Sequence, residues 1–171
     1  MIYFLVNNEQ HYIDAKQHIF EANIEQVCFI IIKHRVLPEM IVNDGFSVFI
    51  FDSPLTQRFG CLNIFKLVKA KYKAARFLQK ISNNDELFFY TEYELFNHLF
   101  CQSFHQKGCR TTLIEENGIG TYYINKVDNS YFSKLSTVDF IRLVMPKFIF
   151  GCNDSVSFRF NGALFHRIND R

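Results

Sequence analysis

The 171-residue chain is long enough for one domain and short for two, and its size allows a substantial buried core. Its 21 Phe and 8 Tyr, with no Trp, exclude a disordered or low-complexity chain, and a formal net charge of +2 excludes partner choice by global charge. Five scattered cysteines with no CxxC spacing read as reduced thiols filling the core rather than as a disulfide framework or a metal site.

In chain order, Ile2 to Val6 is a continuous apolar run, the pattern of a parallel strand buried on both faces. Asn7-Asn8 ends it, and a helix is expected from Glu9 to Glu21 with Tyr12, Ala15 and Ile19 on one face. Val27 to Ile32 is a second buried strand. Lys33 to Pro38 reads as a loop and Asp44-Gly45 as a turn. Phe46 to Phe51 is a third strand. A long helix follows from Leu62 to Ile81, then a strand at Leu87 to Tyr90 and a helix from Glu94 to Lys107 stopped by Gly108. A fifth strand runs from Thr111 to Glu115. Beyond it lie a polar stretch, a short helix from Ser136 toward Val144 and a short strand at Phe148 to Phe150. The tail from Ser155 receives no assignment, although Val156, Phe158 and Phe160 alternate. No run is long and apolar enough for a membrane span or a signal segment.

Strands alternating with helices imply right-handed βαβ crossovers and a parallel sheet. The expected fold is therefore a single α/β domain over residues 1–171, a Rossmann-like parallel sheet flanked by helices. In such sheets ligands gather at the carboxyl ends of the strands. The fifth strand ends there in Glu115-Glu116-Asn117-Gly118-Ile119-Gly120-Thr121-Tyr122. A carboxylate in that position can serve as a general base, and the glycines let the backbone approach a ligand. The bland alternative is an ordinary turn, since acids and Gly are common turn formers.

This turn resembles the acidic motif of bacterial sialyltransferases and polysialyltransferases, the lipooligosaccharide sialyltransferase group especially. The leading Ile2 to Val6 run and the strand-helix rhythm resemble the N-terminal half of those two-domain, GT-B enzymes. The resemblance implies inverting transfer of sialic acid from CMP-sialic acid to a surface glycan, without metal or cofactor. It implies Glu116 as general base, or Glu115 if the register shifts by one, with Gly118, Gly120, Thr121 and Tyr122 against substrate. Two departures stand out. Asn117 occupies the second acidic position when Gly118 is aligned with the motif's glycine, and the His-Pro pair of the family's nucleotide-binding domain does not occur. The expectation is an acceptor-side half, inactive without its nucleotide-binding partner domain and located in the cytoplasm.

Lys66, Lys69, Lys73, Arg76 and Lys80 recur every three or four residues, a cationic row on one helix face with no acid between. Phe65, Val68, Tyr72 and Ala75 are expected as the apolar stripe opposite. The row suits a solvated face or an anionic partner, either an acidic glycan or the inner face of a membrane. Nucleic acid fits less well, because aromatics are not interleaved. His98, Cys101, His105 and Cys109 also share a face, but their spread along one helix is too long to close a tetrahedron around a metal. The competing classes are thus a glycosyltransferase domain, a non-catalytic Rossmann-like module that binds an anionic glycan or phosphate, and a structural or dimerising domain.

Overall fold

A computed structural model describes residues 1–32, 37–51, 62–90, 95–114, 157–160 and 163–166. The elements are β1 (Ile2–Val6), α1 (Glu9–Glu21), β2 (Val27–Ile32), α2 (Leu37–Asn43), β3 (Ser47–Phe51) and α3 (Leu62–Leu78). They continue with β4 (Glu86–Phe89), α4 (Leu95–Gln106), β5 (Arg110–Leu113), β6 (Ser157–Phe160) and β7 (Ala163–His166). The strands form one sheet in the order β3-β2-β1-β4-β5-β6-β7. Every pairing is parallel except β6 with β7.

The apolar runs become central strands because both of their faces are covered. In β1, Phe4, Leu5 and Val6 are fully buried. Successive side chains point to opposite faces. Tyr3 and Leu5 join the core under α3 and α4, with Ala70, Ala74, Leu78, Phe100 and Phe104. Phe4 and Val6 join the core under α1 and α2, with Tyr12, Ala15, Ile19, Leu37 and Ile41. The sheet is therefore doubly wound. Its register aligns Phe29, Phe4 and Phe88 across β2, β1 and β4. Their rings stack with centroids 5.7 and 5.0 Å apart. Burial of each Phe contributes roughly 2–3 kcal/mol, and each ring pair about 1 kcal/mol more.

Local signals set the helix ends. Asn8 caps α1, its side chain accepting from the backbone N–H of His11 at 2.8 Å. After α1, Asn23 takes φ +50° and the Ile24 N–H returns to the Ile19 carbonyl at 3.0 Å. Gly108, at φ +77°, ends α4 as expected, and the Cys109 N–H reaches back to the Phe104 carbonyl at 3.0 Å.

Three expectations need correcting. Leu37 and Pro38, expected to close a loop, instead open the helix α2, which runs into the expected turn at Asp44-Gly45; Pro38 fits because it sits in the first turn, where no intrahelical N–H bond is lost. The unassigned tail supplies β6 and β7, whose register pairs Phe160 with Ala163 across the two residues Asn161-Gly162. The apolar stripe expected on α3 is wrong in its described part. Val68 and Tyr72 are 62% and 65% exposed and Ala75 is exposed, whereas Ala70, Ala74 and Leu78 face the sheet. Alanine lets a helix lie close on the strands, and that closeness outweighs the larger side chains' preference for burial. The side chain of Phe65, the short helix from Ser136 and the strand at Phe148 lie outside the described residues.

Candidate functional site

The strand order fixes where a crevice opens. From β1 the chain winds outward through β2 to β3, then crosses back to β4 on the other side of β1. The helices after β1 and β4 therefore diverge onto opposite faces. The carboxyl ends of β1 and β4 are thus the topological switch point, where open α/β sheets place their ligand-binding crevice.

The rim of that crevice is a buried polar cluster. Asn7 follows β1 directly, and Asn97 lies in the first turn of α4 with its side chain fully buried. Their amides bond reciprocally. Asn7 Nδ2 donates to Asn97 Oδ1 at 3.2 Å, and Asn97 Nδ2 donates to Asn7 Oδ1 at 2.9 Å. The Asn7 backbone N–H donates to His11 Nδ1 at 3.3 Å. That bond requires an unprotonated Nδ1, so the neutral ring carries its proton on Nε2. The His11 ring, 2% exposed, stacks on Tyr90 with centroids 4.3 Å apart and planes 10° from parallel. Tyr90 follows β4 and is fully buried. The cluster joins β1, α1, β4 and α4 at the point where the fold changes direction.

The β1–α1 connection is Asn7-Asn8, followed by Glu9 in the first turn of α1. A dinucleotide site needs glycines here, so that the helix N-terminus can take a pyrophosphate. Asn8 already caps that terminus, and Glu9 brings negative charge to it. The turn therefore does not have the make-up of a phosphate cradle.

One strand over, β5 ends at Leu113, and the Ile114 N–H donates to the Phe89 carbonyl of β4 at 2.8 Å. The carboxyl end of β5 thus lies against that of β4. Glu115, Glu116, Gly118, Gly120, Thr121 and Tyr122 follow in sequence but lie outside the described residues.

Groups with shifted pKa values sit away from the crevice. Burial alone would raise the carboxyl of Asp85, but the Met1 amine at 2.7 Å and the Ser82 N–H at 2.8 Å hold it below the usual range. Burial, reinforced by Asp85, pushes the Tyr3 hydroxyl up to about 12, and burial pushes the Cys28 thiol up to about 11. These groups lie at the amino ends of β1, β2 and β4 and serve the core.

On α3, Lys69, Lys73 and Arg76 are exposed; Lys80, also exposed, lies in the turn past the helix end rather than on the expected helix face, and the side chain of Lys66 lies outside those described. Lys73 is partly committed, donating to the Ile50 carbonyl of β3 at 2.8 Å and lying 5.5 Å from the centre of the Phe49 ring. The row expected on one helix does not converge: Cys109 lies past the end of α4, beyond Gly108, and on the helix Cys101 is buried while His105 is exposed. The side chain of His98 lies outside those described. Among the described residues no group of three or more His, Cys, Asp or Glu could hold a metal, and no helix is long and apolar enough to cross a membrane.

Sequence reasoning missed Asn7, His11, Tyr90 and Asn97. Asn7 reads as a strand terminator and His11 as a surface or half-buried helix residue; only the strand order shows that they meet at the crevice. Comparison with protein-family models finds no match, and comparison with curated proteins finds none either.

Proposed function

We propose that this chain is the acceptor-side domain of an inverting glycosyltransferase that moves sialic acid from CMP-sialic acid to a glycan hydroxyl. The observation that carries the reading is the abutment of β5 on β4 at the crevice, with the acidic, glycine-rich turn next in sequence. The resemblance to GT-B sialyltransferases adds the chemistry. A sugar hydroxyl is a weak nucleophile, and a carboxylate that takes its proton as it attacks makes the step feasible. The acceptor oxygen bonds to the anomeric carbon, Glu116 receives the proton, and the bond to the nucleotide phosphate breaks with its electron pair leaving on CMP.

The β1–α1 turn supports the acceptor side rather than the nucleotide side, because Asn7-Asn8-Glu9 lacks the glycines that a nucleotide phosphate needs. The reading carries with it a second domain for the donor, a glycan acceptor and a cytoplasmic location. Gly118, Gly120, Thr121 and Tyr122 would line the acceptor.

The test is sialyl transfer from CMP-sialic acid to a panel of galactosides by the product of the whole gene, with Glu116→Gln and Glu115→Gln beside it. Loss of about 100-fold or more in Glu116→Gln, with Glu115→Gln active, supports the assignment. The reverse pattern moves the base to Glu115. A wild-type protein that binds galactosides without transferring supports the non-catalytic binding module instead.

A further inference from the structure

Helix α3 presents an unusual surface. It lies on the sheet through Ala70, Ala74 and Leu78, and it turns Val68 and Tyr72, one turn apart, toward solvent. The exposed cations Lys69 and Arg76 stand on the same helix, and Lys80, also exposed, lies in the turn just past its end. The Arg76 guanidinium carbon lies 5.9 Å from the centre of the Tyr72 ring. Residues 66–80 hold six of the chain's 19 cations and none of its 17 acids. The rest of the chain is thus net acidic, although the whole is nearly neutral.

We propose that α3 is a membrane-docking helix that lies flat on an anionic lipid surface, with Val68 and Tyr72 at the headgroup boundary and Lys69, Arg76 and Lys80 on lipid phosphates. An aliphatic and a phenolic side chain flanked by Lys and Arg is the arrangement of an interfacial helix. Tyrosine suits that depth, with its ring in the apolar layer and its hydroxyl in the wet one. The charge asymmetry orients the molecule, since an anionic surface attracts α3 and repels the acidic remainder. Nucleic acid would gain nothing from Val68, and stacking on Tyr72 alone gives a short, weak footprint.

The chain has no Trp, so Tyr72→Trp places a single fluorophore on this face. The full chain is titrated with vesicles of phosphatidylcholine alone and of phosphatidylcholine with about one-third phosphatidylglycerol. The fraction needed to resolve binding follows from the negative surface potential such lipids create. The proposal expects a blue-shifted emission, and quenching by bromine-labelled acyl chains, with the anionic vesicles only. It expects binding to be lost at 1 M salt, where charge screening acts over about 3 Å. Combining Lys69→Gln, Arg76→Gln and Lys80→Gln should weaken binding by at least about tenfold, while Lys16→Gln, an exposed cation on α1, should not. Equal binding to both vesicles overturns the proposal. So does full retention of binding in the triple variant. Salt-sensitive binding to a short duplex DNA or an acidic peptide with none to anionic vesicles overturns it in favour of that partner. Far-ultraviolet circular dichroism of each variant separates lost binding from lost folding.

Discussion

Exchanging the roles of two neighbours on α3 tests the orientation of that helix. Tyr72 is 65% exposed, so folding covers only about a third of its surface. Burying a whole large side chain is worth roughly 2–3 kcal/mol, and a third of that is under about 1 kcal/mol. Tyr72→Ser should therefore lower stability by less than about 1 kcal/mol. Ala74 is fully buried among Tyr3, Leu5, Phe100 and Phe104 of the same core. A leucine there must push α3 off the sheet or force strained rotamers, at a cost of about 1–3 kcal/mol. Urea unfolding followed at 222 nm measures both. With a slope of about 2 kcal/mol per molar, Ala74→Leu should move the midpoint down by about 0.5–1.5 M and Tyr72→Ser by less than about 0.5 M. If Tyr72→Ser costs more than about 2 kcal/mol and Ala74→Leu is neutral, the helix is rotated to bury its larger apolar residues, and the docking surface disappears with it.

Two further outcomes follow from the polar contacts. Asn97→Ala leaves the Asn7 amide without its reciprocal partner and should cost about 1–3 kcal/mol; in a double-mutant cycle with Asn7→Ala the two positions should couple by about 1 kcal/mol, and additive effects would mean that the pair is not formed. The carboxyl of Asp44 is held below its usual range by its bonds to Lys16 Nζ and the Tyr12 hydroxyl, so its contribution is present above about pH 4 and lost as pH falls through the lower folded value. Thermal melts from pH 6 to pH 2 should show a decline below about pH 4 that Asp44→Asn makes shallower.

The framework was legible in the sequence wherever burial on both faces leaves an uninterrupted apolar run. Ile2 to Val6 and Val27 to Ile32 could only be central strands, and the strand-helix alternation determined their direction. Helix α1 was legible from Tyr12, Ala15 and Ile19, which all proved buried. Helix α2 was not, because its seven residues begin Leu37-Pro38 and end against Asp44-Gly45, so the turn signals at each end hide the short helix between them. The core face of α3 was misread because periodicity weighs apolar size, whereas close helix-sheet contact selects the small Ala70 and Ala74. The crevice cluster had no local signature at all. Asn7 and Asn97 are 90 residues apart, and their pairing depends on the crossing from β3 to β4 that brings the two strand ends together. The acidic turn was conspicuous for the opposite reason, since all of its pattern is local in sequence.

The bond from Lys73 to the Ile50 carbonyl has a meaning for how the molecule survives at high concentration. Strand β3 stands at the end of the sheet, where backbone groups can recruit a strand from another molecule. Ile50 and Phe49 offer an incoming strand an apolar surface as well. Lys73 fixes an ammonium group on that carbonyl, so a newcomer must strip a charged donor from its acceptor and then bury the charge beside its own backbone. In a chain this rich in phenylalanine, one lysine on the edge works as a gatekeeper against self-association, and it does so from the same helix that carries the surface cations.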